Sequence, residues 1–229
     1  MARRPIFLPT GDSRNLVSDQ FVEFEWFPGM SLKQKQRSVE ALHTMARHVL
    51  GVSHPLEVSS KSPDELGVRL SSFNLKFTTQ RGRALTVEAA FQGSKVFARG
   101  GPFRDLFDMS PREAKRDTRL RDSGALVAFS FFGVDWPLEP PTAFYDWLYI
   151  NALIKNEDLA AEVRLYDAFT DIEFNPEKSV NCQARSVALY CSLARVGELS
   201  TLETPETFRA IHKTHVSEPR HLNYHNPLV

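Results

Sequence analysis

Residues 86–97, TVEAAFQGSKVF, place a carboxylate, an amide and an amine in an otherwise apolar segment. At 3.6 residues per turn, Glu88, Gln92 and Lys95 stand at i, i+4 and i+7, so one helix would stack the three polar heads along a single face. Phe91, Val96 and Phe97 beside the small Ala89 and Ala90 point to close packing of that helix. Burying such a set costs free energy unless its members satisfy one another. The alternative is a half-exposed helix carrying an ordinary i, i+7 Glu and Lys.

The flanks set limits on this segment. Thr86 is a fitting N-cap, and the polar loop TQRGR (79–83) delivers the chain to it; Gly100-Gly101-Pro102 is the expected stop. Upstream, residues 55–77 break into short extended pieces, LEVSS and GVRLSSFNLKF, around the turn-like KSPDE. Phe73, Leu75 and Phe77 alternate there with Asn74 and Lys76. Downstream, Ser110-Pro111-Arg112-Glu113 combines a Ser cap, Pro at the first helical position and Glu three residues after the cap, so a short helix, PREAKRD, follows.

Toward the N-terminus, residues 1–14 read as an extended arm and 20–27, QFVEFEWF, as a strand. Ser31 with Gln34 then opens a helix whose Leu32, Val39, Leu42, Met45, Ala46 and Val49 follow helical spacing up to Gly51. Its Lys33, Lys35, Arg37 and Arg47 form a solvated face or a contact for a polyanion. Toward the C-terminus, GALVAFSFF (124–132) is a buried-type strand, and Thr142 caps a helix after Pro140-Pro141. Phe144, Trp147, Leu148 and Leu153 of that helix read as core, with one of Tyr145, Trp147 or Tyr149 available to stack on a purine. NEDLAAEVRLYDAF reads as a further helix, and Asn175-Pro176 opens a long apolar one.

With 229 residues, 42% of them hydrophobic, the chain can bury a full core as one large domain. The 28 basic and 28 acidic residues cancel, so no global field draws in nucleic acid and any phosphate contact is local. Cys182 and Cys191 lie nine apart on an expected helix, too far for a bridge, and read as core. His212, His215, His221 and His225 lack a matching set of metal ligands, so neither metal nor cofactor is expected. No Walker, GxGxxG, Ser-His-Asp or Cys-His arrangement is present. No apolar run is long enough to span a bilayer, and a cytoplasmic location without membrane contact is the expectation.

Three pieces, SSFNLKF (71–77), TVEAAFQGSKVF (86–97) and SPREAKRD (110–117), occur in an order and spacing that resemble the NADAR (YbiA-like) family. The long N-terminal region makes the chain most similar to the NADAR antitoxins associated with DarT-type DNA ADP-ribosyltransferase toxins. The resemblance implies an N-glycosidase that removes ADP-ribose from guanine in ADP-ribosylated DNA, leaving ADP-ribose as product and pairing functionally with a DarT-type toxin. Other members imply cleavage of riboflavin-pathway intermediates, and a non-catalytic ADP-ribose-binding module is the reading from another class. By the same resemblance Asp171 or Glu173 supplies a second carboxylate, although the Trp-Gly common in the family after that turn is absent.

Splitting an N-glycosidic bond develops oxocarbenium character on the ribose, which a carboxylate stabilises, and Glu88 suits that role. Lys95 could anchor a carboxylate or phosphate, or attack the anomeric carbon and open the sugar as a Schiff base. Lys76, from the neighbouring strand, competes for the same role. Arg81, Arg83, Lys115 and Arg116 are candidate phosphate donors, and Asn74, Gln92 and Trp147 complete the expected substrate contacts. Gln92 reads a base or hydroxyl edge, or is a packed amide. The expected architecture is one mainly helical α+β domain with a small sheet, residues 1–55 forming a strand-and-helix extension on a core of residues 56–229.

Overall fold

The computed structural model describes residues 1–215. The chain opens with a hairpin, β1 (Ala2–Asp12) and β2 (Asn15–Phe24), then α1 (Leu32–Leu50), β3 (Pro55–Glu57), α2 (Glu65–Arg69), β4 (Lys76–Thr78) and β5 (Ala84–Thr86). It continues through α3 (Val87–Gly93), β6 (Lys95–Phe97), a 3-10 turn (Arg104–Asp108), α4 (Pro111–Arg116) and α5 (Arg119–Asp122). Then come β7 (Leu126–Phe131), β8 (Val134–Trp136), α6 (Ala143–Ile154), α7 (Glu157–Glu162), β9 (Ala168–Thr170), α8 (Gln183–Val196) and α9 (Pro205–His215). The fold is α+β, but less than half of the described residues are helical and three separate sheets form, so it is not mainly helical around one small sheet.

The largest sheet runs β2-β1-β9-β3. Successive side chains of a strand face opposite ways, and β1 buries both faces: Ile6 joins Val39, Leu42 and Ala46 of α1, while Phe7 joins the main core with residues of α8. The expected arm is therefore an inner strand. Its bond to β9 is limited to the pair Phe7↔Phe169, between two prolines, Pro5 and Pro9, that have no N–H to donate. α8 is buried from Gln183 to Leu193, as expected of a helix surrounded by protein. It begins after a turn at residues 175–179, later than Asn175-Pro176.

The local start signals hold. Ser31, Thr86 and Ser110 each accept the backbone N–H three residues on, and Glu113 completes a reciprocal box with Ser110. Thr142 precedes α6 in a left-handed conformation but makes no cap bond to the backbone; its hydroxyl donates to the Asp146 carboxylate. Further assignments change, among them the expected helix at NEDLAAEVRLYDAF, which ends at Glu162 and gives way to β9 at Ala168. GVR belongs to α2, because Asp64 accepts from the Leu66 N–H and caps a helix inside the expected extended run. The helix of residues 86–97 stops at Gly93, and Lys95–Phe97 pairs with β7 instead. Phe107 explains part of this stop: its ring fills the space beside Gly93, where a Cβ would lie 2.5 Å from it.

α2 packs as tightly on β3. A Cβ on Gly67 would stand 1.9 Å from the Glu57 carbonyl oxygen, a backbone atom that cannot step aside. Gly67→Ala is therefore expected to cost about 3 kcal/mol or more in urea unfolding; a loss below about 0.5 kcal/mol would contradict this packing.

Candidate active site

Glu88 sits in the first turn of α3 and is 4% exposed. The turn before β4 is fastened to this helix start: the Val87 N–H donates to the Leu75 carbonyl and the Glu88 N–H to the Ser72 carbonyl. The carboxylate accepts from the Ser72 hydroxyl at Oε2 (3.1 Å) and from Gln92 Nε2 at Oε1 (2.9 Å), and Lys115 Nζ from α4 lies 3.4 Å from Oε1. The i, i+4 spacing of Glu88 and Gln92 thus becomes a real contact. The Tyr145 phenol, buried on α6, also bonds Ser72 and is held neutral by burial and by the nearby Glu88 charge.

Lys95 reaches the same region from β6 rather than from the helix. Burial pushes its ammonium down to about 8; Glu88 pulls it upward and Lys115 pushes it further down. Its Nζ lies 5.0 Å from the centre of the Phe91 ring. An amine so placed is available in both protonation states near neutral pH.

Asp171 joins through a relay. The Ser72 N–H can only donate, so the Gln183 amide must turn its Oε1 toward it (2.7 Å), and its Nε2 then donates to Asp171 Oδ2 at 3.0 Å. Burial, with the Glu57 carboxylate adding to it, pushes Asp171 up to about 8. Glu57 is itself buried and raised, and it accepts from Ser59, Thr170 and the Ile172 N–H. A second carboxyl, held protonated, thus stands behind Glu88.

The other expected residues lie apart from this group. Lys76 is exposed on β4, and its carbonyl accepts from Asn156. Glu173 is exposed and pairs with Lys35 of α1 at 2.9 Å. Asn74 donates to the Val68 carbonyl, and Arg83 pairs with Asp108 at 2.6 Å. Arg81 and Arg116 are exposed. Trp147 packs on Trp136 and Phe131 and donates its indole N–H to the Leu202 carbonyl. Cys182 and Cys191 are buried free thiols. His212 bonds the buried Asp146 at 2.9 Å, whereas His221 and His225 lie outside the described residues. Among the described residues no group of three or more His, Cys, Asp or Glu could hold a metal ion, and no helix is long and apolar enough to cross a membrane.

A family model described as the DarT1-associated NADAR antitoxin matches residues 2–221. The chain belongs to this family. The match runs from β1 past α9, so it includes the N-terminal hairpin as well as the Glu88 region. No curated protein matches the chain.

Ser72, Gln183 and Glu57 are the members of the site that sequence reasoning did not assign; Tyr145, read there as one of three rings that could stack on a purine, bonds Ser72. Gln183, a buried amide at the first position of a helix buried through Leu193, carried the one signal that could have found it. The opposed influences on Lys95 are directly measurable. Side-chain NMR titration should place Lys95 near 8; Glu88→Gln should lower it and Lys115→Met should raise it. Equal or reversed shifts would contradict the arrangement.

Proposed function

We propose that this antitoxin is an ADP-ribosyl glycosidase that removes ADP-ribose from guanine in DNA and so reverses the modification made by a DarT-type toxin. The observation that carries the reading is a buried, hydrogen-bonded carboxylate, Glu88, sharing its site with a lysine pushed down to about 8. A module that only bound ADP-ribose would need cations for the diphosphate but no amine poised between its two protonation states.

Lys95 is the nucleophile in this reading. Its amine attacks the anomeric carbon as the bond to guanine breaks, and the electron pair of that bond stays on the base. The new secondary ammonium returns its proton to guanine. Ring opening gives a Schiff base, and water then hydrolyses it to ADP-ribose and free Lys95. Glu88 stabilises positive charge on the ribose as the bond breaks, in a setting where fixed electrostatics act strongly. Asp171, through Gln183 and Ser72, holds the Glu88 side chain in place. Lys115 and Arg116 of α4, with Arg81 and Arg83, are the proposed diphosphate contacts. Because the chain is neutral overall, affinity rests on the adduct more than on the DNA backbone, and a single-stranded or extruded base presents that adduct at least cost.

Purified protein incubated with guanine-ADP-ribosylated single-stranded DNA is expected to release ADP-ribose and restore the oligonucleotide. Glu88→Gln should slow release by at least about 10²-fold while remaining folded. Lys95 reacts as the free amine, about a tenth of the population at pH 7, so the rate should climb as pH rises through about 8. Tight binding without release would favour the binding module. Release from riboflavin-pathway intermediates but not from DNA would move the substrate to that pathway.

A further inference from the structure

Phe132 is costly to the fold in two ways. Among the described residues it is the only exposed aromatic, with 53% of its surface open. It also has a φ of 46°, a left-handed conformation that a bulky side chain rarely adopts. β7 and β8 pair as far as Phe131 and Val134, so Phe132 and Gly133 make a two-residue loop with φ positive at both positions. Asparagine or glycine would fit the first of them at lower cost. A strained, open ring at a hairpin tip points to a function that retains it.

The surroundings of the ring indicate what covers it. Phe132 lies 5.7 Å from the Phe107 ring, and the Arg83 guanidinium stands 5.5 Å from the centre of that same ring. An open aromatic face and a half-exposed cation thus share one buried neighbour. The chain is neutral as a whole, yet residues 76–122, the stretch that holds Arg83 and Phe107, carry eleven basic residues against six acidic ones. The tip is also close to the candidate site: Phe129 pairs with Lys95, and Phe132 follows three residues later, about 10 Å along the strand. Open rings beside cations hold single-stranded nucleic acid, because every base has a face to stack and every phosphate a charge.

From this we infer that Phe132 is a stacking platform for an unpaired base next to the modified guanine, so that the protein takes its adduct within a single strand. The inference rests on the glycosidase reading and adds to it a contact with the DNA beyond the adduct. Stacking is indifferent to sequence, so the platform accepts any neighbouring base. A base held between its neighbours in a duplex has no free face to offer it.

Single-stranded oligonucleotides carrying guanine-linked ADP-ribose are made with an abasic nucleotide at each of the two positions on either side of the guanine in turn, which removes one base and keeps every phosphate. Wild type should release ADP-ribose from at least one of these strands about 5- to 100-fold less efficiently, in kcat/KM, than from the intact strand. In Phe132→Asn the two strands should agree within about 3-fold, and Phe132→Tyr should keep the preference. Asparagine suits the left-handed position, so the variant keeps the turn. General damage to the fold would slow both strands and leave their ratio intact. A ratio that survives in Phe132→Asn, or no preference by wild type at any position, overturns the inference. If wild type releases nothing from any strand, the glycosidase reading fails instead. Fluorescence anisotropy with the same unreacted strands then reads the contact: weaker binding of one abasic strand by wild type but not by Phe132→Asn supports it, and equal binding of all strands overturns it.

Discussion

Ser72 is the residue on which the site depends, because each of its polar groups is engaged. Its carbonyl accepts the Glu88 N–H, its hydroxyl donates to the Glu88 carboxylate, and its N–H donates to Gln183. Three elements, the turn before β4, the nearby α3 and the distant α8, are thereby fixed to one another at a single buried point. A buried carboxylate persists only where such donors surround it. Removing one would leave Glu88 or Gln183 with a bare polar atom, which costs more than the bond itself contributes.

The large sheet supports that point from behind. β9 lies between β1 and β3, and its end carries the chain to Asp171, while Glu57 at the end of β3 binds the backbone of the same turn. The N-terminal hairpin closes the other side, with Ser192 of α8 donating to the Leu16 carbonyl and Arg195 to the Pro9 carbonyl. Sheet, α8 and the turn at Asp171 therefore pack together, and the family match across residues 2–221 takes in all three.

Much of this was legible from local chemistry. Caps such as Ser31, Thr86 and Ser110 depend on a side chain and a backbone N–H three residues away, so a short window contains the whole interaction. The Glu88–Gln92 contact likewise follows from helical spacing alone. Lys95 was harder to place: its approach to Glu88 depends on β7, about 35 residues downstream in the chain, pairing with it in a sheet. Pro5 and Pro9 disguised an inner strand as an arm, since the signal that marks edges and coil is tolerated where only Phe7 pairs across. Gln183 and Glu57 reach Asp171 through tertiary contacts more than 100 residues apart in the case of Glu57, which no periodicity encodes.

In the proposed reaction Lys95, beside a buried Glu88, forms a covalent bond to the sugar. Borohydride added during turnover of guanine-ADP-ribosylated single-stranded DNA reduces a Schiff base to a stable amine, and peptide mass spectrometry then locates it. The expected product is ADP-ribose linked to Lys95, with no linkage when Lys95→Met is used. Steady release of ADP-ribose by wild type with no trapped adduct, or an adduct on Lys76 instead, would contradict it.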